Sequence, residues 1–246
     1  MEGPEYFGQI LANMDADDGS ILRATAIASA VGFLEYFYCV YPTHKDGRGP
    51  FPLWMYLFYL AHDSTWCYLL AQEAPKYNNH IFLTGTSKGL ALWSALEIYC
   101  TYRLIVVERE GLFSRSQSAT RRFQAYIHAA LLLLVFYGTI LSLIYMVGRQ
   151  GWMQWTIFTN MVMAVGPGAL WLERGSRRGT SLGLAAVIIV GTVNSFTPYS
   201  QWVLAVPEIF DNNLYYGAGV ACTLYSVYNF YIVASLPEDD KSGKKA

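Results

Sequence analysis

Charge is scarce in this chain: only 14% of its 246 residues are Asp, Glu, Lys or Arg, and they balance to a net charge of −1. A soluble domain carries about 25% charged residues, so the deficit excludes an ordinary soluble globular domain. The near-zero balance also removes the basic footprint of a nucleic-acid binder, and no nucleic-acid partner is expected. Cysteine is sparse as well. Cys39, Cys67, Cys100 and Cys222 all fall inside apolar runs and show no CxxC spacing. They are expected to be packing residues rather than a disulfide framework or a zinc site. No His, Cys and carboxylate set has metal-ligand spacing, and no GxSxG, Walker or GxGxxG pattern occurs, so neither a metal nor another cofactor is expected. The last apolar run holds no lysine, which excludes a retinal Schiff base there. A basic n-region is missing from Met1 to Glu5, and Asp15, Asp17 and Asp18 follow, so a cleaved signal peptide is not expected.

What is present is apolar bulk: 54% of residues are hydrophobic and 16% aromatic. Runs long enough to cross a bilayer lie at roughly 24–41, 51–71, 88–107, 125–147, 152–172, 180–197 and 215–234. Short Pro, Gly and Asn punctuation separates them, notably Pro42 to Pro50, Pro75 to Asn79 and Pro198 to Asn213. Backbone polar groups must be satisfied internally in lipid, so the expected fold is an all-α integral membrane bundle of seven transmembrane helices, with residues 1–246 forming one domain. Lys and Arg are distributed unevenly between the two sides. Arg23, Lys76 and Arg149 fall on the N-terminal side; Lys45, Arg48, Arg109, Arg115, Arg121, Arg122, Arg174, Arg177, Arg178, Lys241, Lys244 and Lys245 fall on the other. The positive-inside rule therefore places the N-terminus in the lumen and the C-terminus in the cytosol.

Against that background three acids stand out. Glu35, Asp63 and Glu97 each sit well inside a different apolar run, where a carboxylate costs roughly 2.5–3.5 kcal/mol on insertion scales and so faces a bundle interior, a partner or water. At about 1.5 Å rise per residue they lie roughly 16, 12 and 13 Å from the same side of the bilayer. Matched depth lets them converge on one pocket. Asn160 and Asn194 fall in the same half, and Tyr59, Trp66, Trp93, Tyr99 and Trp155 would wall the chamber. Burial and neighbouring charge allow one carboxyl to act as an acid while another serves as a base. Asp63 and Glu97 are the expected catalytic pair, with Glu35 in support. His62 points about 100° away from Asp63 on a helix and is expected behind the pocket or between helices.

The stretch Val165-Gly166-Pro167-Gly168-Ala169-Leu170-Trp171-Leu172-Glu173-Arg174-Gly175-Ser176-Arg177-Arg178-Gly179-Thr180-Ser181 resembles the fifth-helix end and cytosolic turn of the fungal membrane-bound meroterpenoid and indole-diterpene cyclases. The loop through Arg48 and Gly49 into the helix that carries Trp66 is similar too. That resemblance implies a metal-free enzyme of secondary metabolism whose membrane-embedded acids protonate an epoxidised polyprenyl chain. It also implies a lipophilic small-molecule substrate, a bilayer setting such as the endoplasmic reticulum, and a flavin monooxygenase epoxidase as pathway partner. The chain departs from the family at two places: Cys67 rather than Glu follows Trp66, and the last helix offers Tyr225, Ser226, Tyr228 and Asn229 but no acid. Related membrane proteins hydrolyse polyketide epoxides or open them intramolecularly, and clustered carboxylates suit that chemistry better. Epoxide opening on a polyketide or prenylated substrate is therefore expected, with terpene cyclisation as the alternative. A small proton-coupled transporter and a non-catalytic scaffold remain open from other classes.

Overall fold

A computed structural model describes residues 6–106 and 119–238. The basic residues Arg109, Arg115, Lys241, Lys244 and Lys245, the side chains of Arg121 and Arg122, and the N-terminal stretch from Met1 to Glu5 lie outside the described residues. Among the described residues every regular element is helical. In chain order they are α1 (Tyr6–Ala16), α2 (Ser20–Asp46), α3 (Leu53–Glu73), α4 (Ile81–Val106), α5 (Ala119–Val147), α6 (Trp152–Val165), α7 (Gly168–Leu172), α8 (Leu182–Ser195), α9 (Gln201–Ala205), α10 (Pro207–Phe210) and α11 (Asn213–Ser235).

A helix underlies each of the long apolar runs. Four are long and apolar enough to cross a membrane, namely Ser20–Asp46, Phe123–Val147, Trp152–Leu172 and Asn213–Ser235. The apolar helix α8 is shorter, at 14 residues. The exterior carries large apolar side chains that water would not favour, among them Leu134 on α5, Leu224 on α11 and Ile98 on α4. Such a surface fits a multi-pass membrane protein.

Helix α3 is the centre of the packing. Its buried residues run through every position from Met55 to Asp63, and a helix apolar all round has no face for solvent. It packs against α4 and α5, α4 reaches α2, α2 reaches α8, and α8 closes on α6 and α11. The close approach of α2 and α4 rests on Gly32, where a Cβ would stand 2.9 Å from the Trp93 ring. Pro167 lacks the N–H that would continue α6, and the chain breaks there before α7. The Asn229 side chain of α11 donates to the Ala164 carbonyl near that break at 2.9 Å.

The segment through Trp171 and Arg174 meets the loop through Gly49 and Pro50 in space. Trp171 donates its indole N–H to the Pro50 carbonyl at 2.7 Å, and Arg174 bonds the Gly49 carbonyl. At the opposite end, α1, α9 and α10 form a cap. Phe7, Ile10 and Leu11 of α1 are buried, Asn13 donates to the Ala205 carbonyl at 2.9 Å, and Gln9 donates to Glu208 at 3.0 Å.

Candidate functional site

A cavity of about 130 Å³ lies among α2, α3, α4, α6 and α8, in the half of the bundle capped by α1 and α9. Two of the three anticipated acids line it. Asp63 comes from α3 and is only 4% exposed. Glu35 comes from α2, and its carboxyl presses against the backbone of α8 at Gly191, where a Cβ would meet Oε1 at 2.8 Å. A larger residue at Gly191 would require the Glu35 carboxyl to shift from its present position. No hydrogen bond to the Glu35 carboxyl occurs among the described residues, so its oxygens are free to meet whatever enters.

Glu97 sits one layer back. It is 1% exposed, it does not line the main cavity, and it accepts a hydrogen bond from the Tyr36 hydroxyl through Oε1. With Glu35, Tyr36 and Tyr59 it borders a smaller void of about 10 Å³. Glu97 Oε2 is buried without a hydrogen-bond partner. The expected pairing of Asp63 with Glu97 as two pocket-facing groups therefore becomes a layered one. Asp63 and Glu35 face the cavity, and Glu97 stands behind Tyr36, close enough to Asp63 to interact with it.

The aromatic wall also differs in membership. Tyr59 and Trp93 line the cavity, the first donating to the Thr159 carbonyl at 2.7 Å and the second stacked on Tyr36. Trp66 does not: it is fully buried in the core away from the cavity, three residues on from Asp63 and so turned about 60° from it around the α3 axis. Tyr99 is likewise elsewhere, since α4 carries it past Glu97 toward the other end of the bundle, where its hydroxyl bonds His44 Nδ1 at 2.7 Å. Trp155 touches His62 rather than the cavity. In their place stand Trp152 and Trp202, from α6 and the α9 cap. Trp202 is fixed by its indole N–H donating to Thr156 Oγ1 at 2.9 Å. Asn160 and Asn194 do line the cavity, and Asn160 donates to the Thr156 carbonyl at 2.8 Å.

His62, expected behind the pocket or between helices, instead lines the same cavity as Asp63, and its Nδ1 lies 2.6 Å from Asp63 Oδ1. Adjacent residues on a helix diverge by about 100°, but α3 is enclosed on every side, so both directions lead into protein. The imidazole then folds back onto its neighbour. The signal was available in the sequence, in the unbroken apolar character of the run around His62.

The site as built carries carboxyl groups on two helices, an imidazole, the three amides of Asn160, Asn194 and Gln201, and a wall of aromatic rings interspersed with Ser and Thr hydroxyls. Among the described residues no group of His, Cys, Asp and Glu could hold a metal ion. Comparison with known proteins adds nothing to this geometry. No family model, no curated protein and no solved structure matches the chain.

Proposed function

We propose that this chain is an integral-membrane enzyme that opens an epoxide on a lipophilic substrate by acid/base catalysis. In that reading all seven long apolar helices cross the bilayer, with the N-terminus lumenal and the C-terminus cytosolic, in the endoplasmic reticulum. The observation that carries the proposal is the placement of Glu35 and Asp63, from different helices, on one cavity whose wall includes the rings of Tyr36, Tyr59, Phe82, Trp93, Trp152 and Trp202. Aromatic walls bind a lipophilic body, and convergent acids polarise the oxygen it brings.

The chemistry has a simple balance. A protonated carboxyl gives its proton to the epoxide oxygen as one C–O bond breaks. A water or substrate hydroxyl forms the new C–O bond and gives up its own proton to a base. Glu35, unencumbered by hydrogen bonds, is the proton donor; Asp63 belongs to the basic side, and Glu97 holds Tyr36 and Asp63 in place from behind. The epoxide itself would come from an oxygenating partner such as a flavin monooxygenase.

A second reading is favoured by one feature of the same cavity. Trp93, Trp152, Trp202 and Tyr59 line it, and an aromatic face turned to a cation stabilises it by about 0.5–2 kcal/mol. An epoxyprenyl chain protonated there would cyclise to carbon rings. Product analysis separates the two, since hydrolysis or hydroxyl attack yields a diol or oxygen heterocycle and cyclisation a fused carbocycle. The test begins in the host: deletion of the gene should cause an epoxide to accumulate, and complementation with Glu35→Gln or Asp63→Asn should fail to clear it. Full clearance by both variants would end the proposal.

A further inference from the structure

The most informative polar group in the cavity is the one with a single partner. His62 is 1% exposed, its Nδ1 is held by Asp63 at 2.6 Å, and its Nε2 is buried with no partner at all. Phe58 and Trp155 flank the ring at centroid distances of 6.2 and 6.0 Å and fix its plane. A buried imidazole nitrogen left unpaired is costly, and His62 lines the same cavity as Glu35 and Asp63. We propose that His62 Nε2 is the base that takes the proton from the attacking hydroxyl, with Asp63 as the positioning residue that fixes its tautomer.

The hydrogen bond from Nδ1–H to the Asp63 carboxylate leaves Nε2 as a bare acceptor, the form in which imidazole accepts a proton. The step then balances. The O–H bond of water breaks and its proton goes to Nε2, while the water oxygen bonds an epoxide carbon. The opposite C–O bond breaks, and its electron pair stays on oxygen and takes the proton of Glu35. Imidazolium next to the Asp63 carboxylate is stabilised by the charge it already touches. Return of that proton to Glu35, through water in the cavity, restores both groups, so the reaction consumes water alone. The assignment deepens the epoxide-opening reading and rests on it, but its geometric half stands without any substrate.

The experiment uses the full-length protein in lipid nanodiscs, labelled with ¹⁵N at histidine. The chain has only 4 histidines, so His62→Gln identifies the signal of His62. The expected spectrum shows Nδ1 protonated and Nε2 bare, with that preference lost in Asp63→Ala. A spectrum with Nε2 protonated and Nδ1 bare overturns the assignment outright. The second arm measures turnover of two probes, methyl cis-9,10-epoxystearate and 10,11-epoxyfarnesol, in ¹⁸O-labelled water. His62→Ala should lose turnover on the order of 10²-fold, and added imidazole should restore it in proportion to its concentration, which a purely structural role would not allow. His62→Gln, close in size and without a basic nitrogen, serves if His62→Ala does not fold. Retained turnover in both variants overturns the role of His62 and leaves the epoxide reading intact. A wild-type protein with the expected tautomer that opens neither probe overturns base catalysis together with the epoxide reading, and leaves only the His62–Asp63 pair.

Discussion

Two glycines on α11, two residues apart, should respond to the same substitution with opposite signs. Gly219 is buried against α8, and a Cβ there would stand 2.5 Å from Phe196 Cγ and 2.9 Å from its Cδ1, with Phe196 Cβ closer still. The contact falls on the root of the side chain, so rotamer change cannot relieve it and the two helices must part. Overpacking of this kind costs about 1–3 kcal/mol, and the gain of roughly 0.8–1 kcal/mol from replacing a helical Gly by Ala offsets only part of it. A net loss of up to about 2 kcal/mol is expected for Gly219→Ala. Gly217 meets nothing within 4 Å. Gly217→Ala should therefore keep the propensity gain and be neutral to about 1 kcal/mol stabilising. Thermal unfolding of both variants in the same detergent, followed by tryptophan fluorescence, compares them directly. Equal shifts, or a stable Gly219→Ala, would refute the α8–α11 packing described above.

Glu73 is buried at the end of α3, just past the apolar run, and bonds Lys76 at 2.7 Å and Arg149 at 2.9 Å. Burial pushes its carboxyl up, but the two cations outweigh it and hold it below the usual glutamate value of 4.5. Its stabilisation is thus complete above about pH 4.5 and lost as pH falls through the lower folded value; Glu73→Gln should flatten stability over that acid window, and an unchanged acid melt would contradict the network. Tyr36→Phe removes the donor to Glu97 and should lower turnover while leaving expression near normal; full activity would show that Glu97 needs no fixing. Asn229→Leu strips the Ala164 carbonyl of that donor, at a cost of about 1–3 kcal/mol, readable as a lower melting temperature; an unchanged melt would show that the bond adds nothing.

Apolar length found the helices well because membrane-type runs are long compared with the error in their ends. Each expected run from 24–41 to 215–234 has a helix beneath it, though Ser20–Asp46 extends past its run at both ends. Short elements were another matter. The segment Pro198 to Asn213 reads as a connection from its Pro and Asn content, yet Ser200 caps α9 by accepting from the Val203 N–H, and Pro207 opens α10. Likewise α1 is hidden among acidic residues, and only its buried Phe7, Ile10 and Leu11 at helical spacing give it away.

At the site, depth counting placed Glu35, Asp63 and Glu97 at one level. It could not say which of them faces inward, because that depends on helix rotation. Rotation puts Tyr36 between Glu97 and the cavity and carries Trp66 and Tyr99 off the wall. It also admits His62, which a two-dimensional wheel had turned away. Trp152 stands at the very start of its apolar run and Trp202 lies in the Pro198 to Asn213 connection, so neither shares the depth of the buried acids.

The central claim is that the carboxyls on this cavity open an epoxide, and ¹⁸O transfer measures that chemistry at the bond it makes. Purified protein in nanodiscs is given a lipophilic epoxide in H₂¹⁸O and the product is weighed by mass spectrometry. The account predicts a diol carrying one ¹⁸O from the wild type, or an unlabelled oxygen heterocycle where a substrate hydroxyl attacks, and neither from Glu35→Gln. Turnover by Glu35→Gln at the wild-type rate would contradict it.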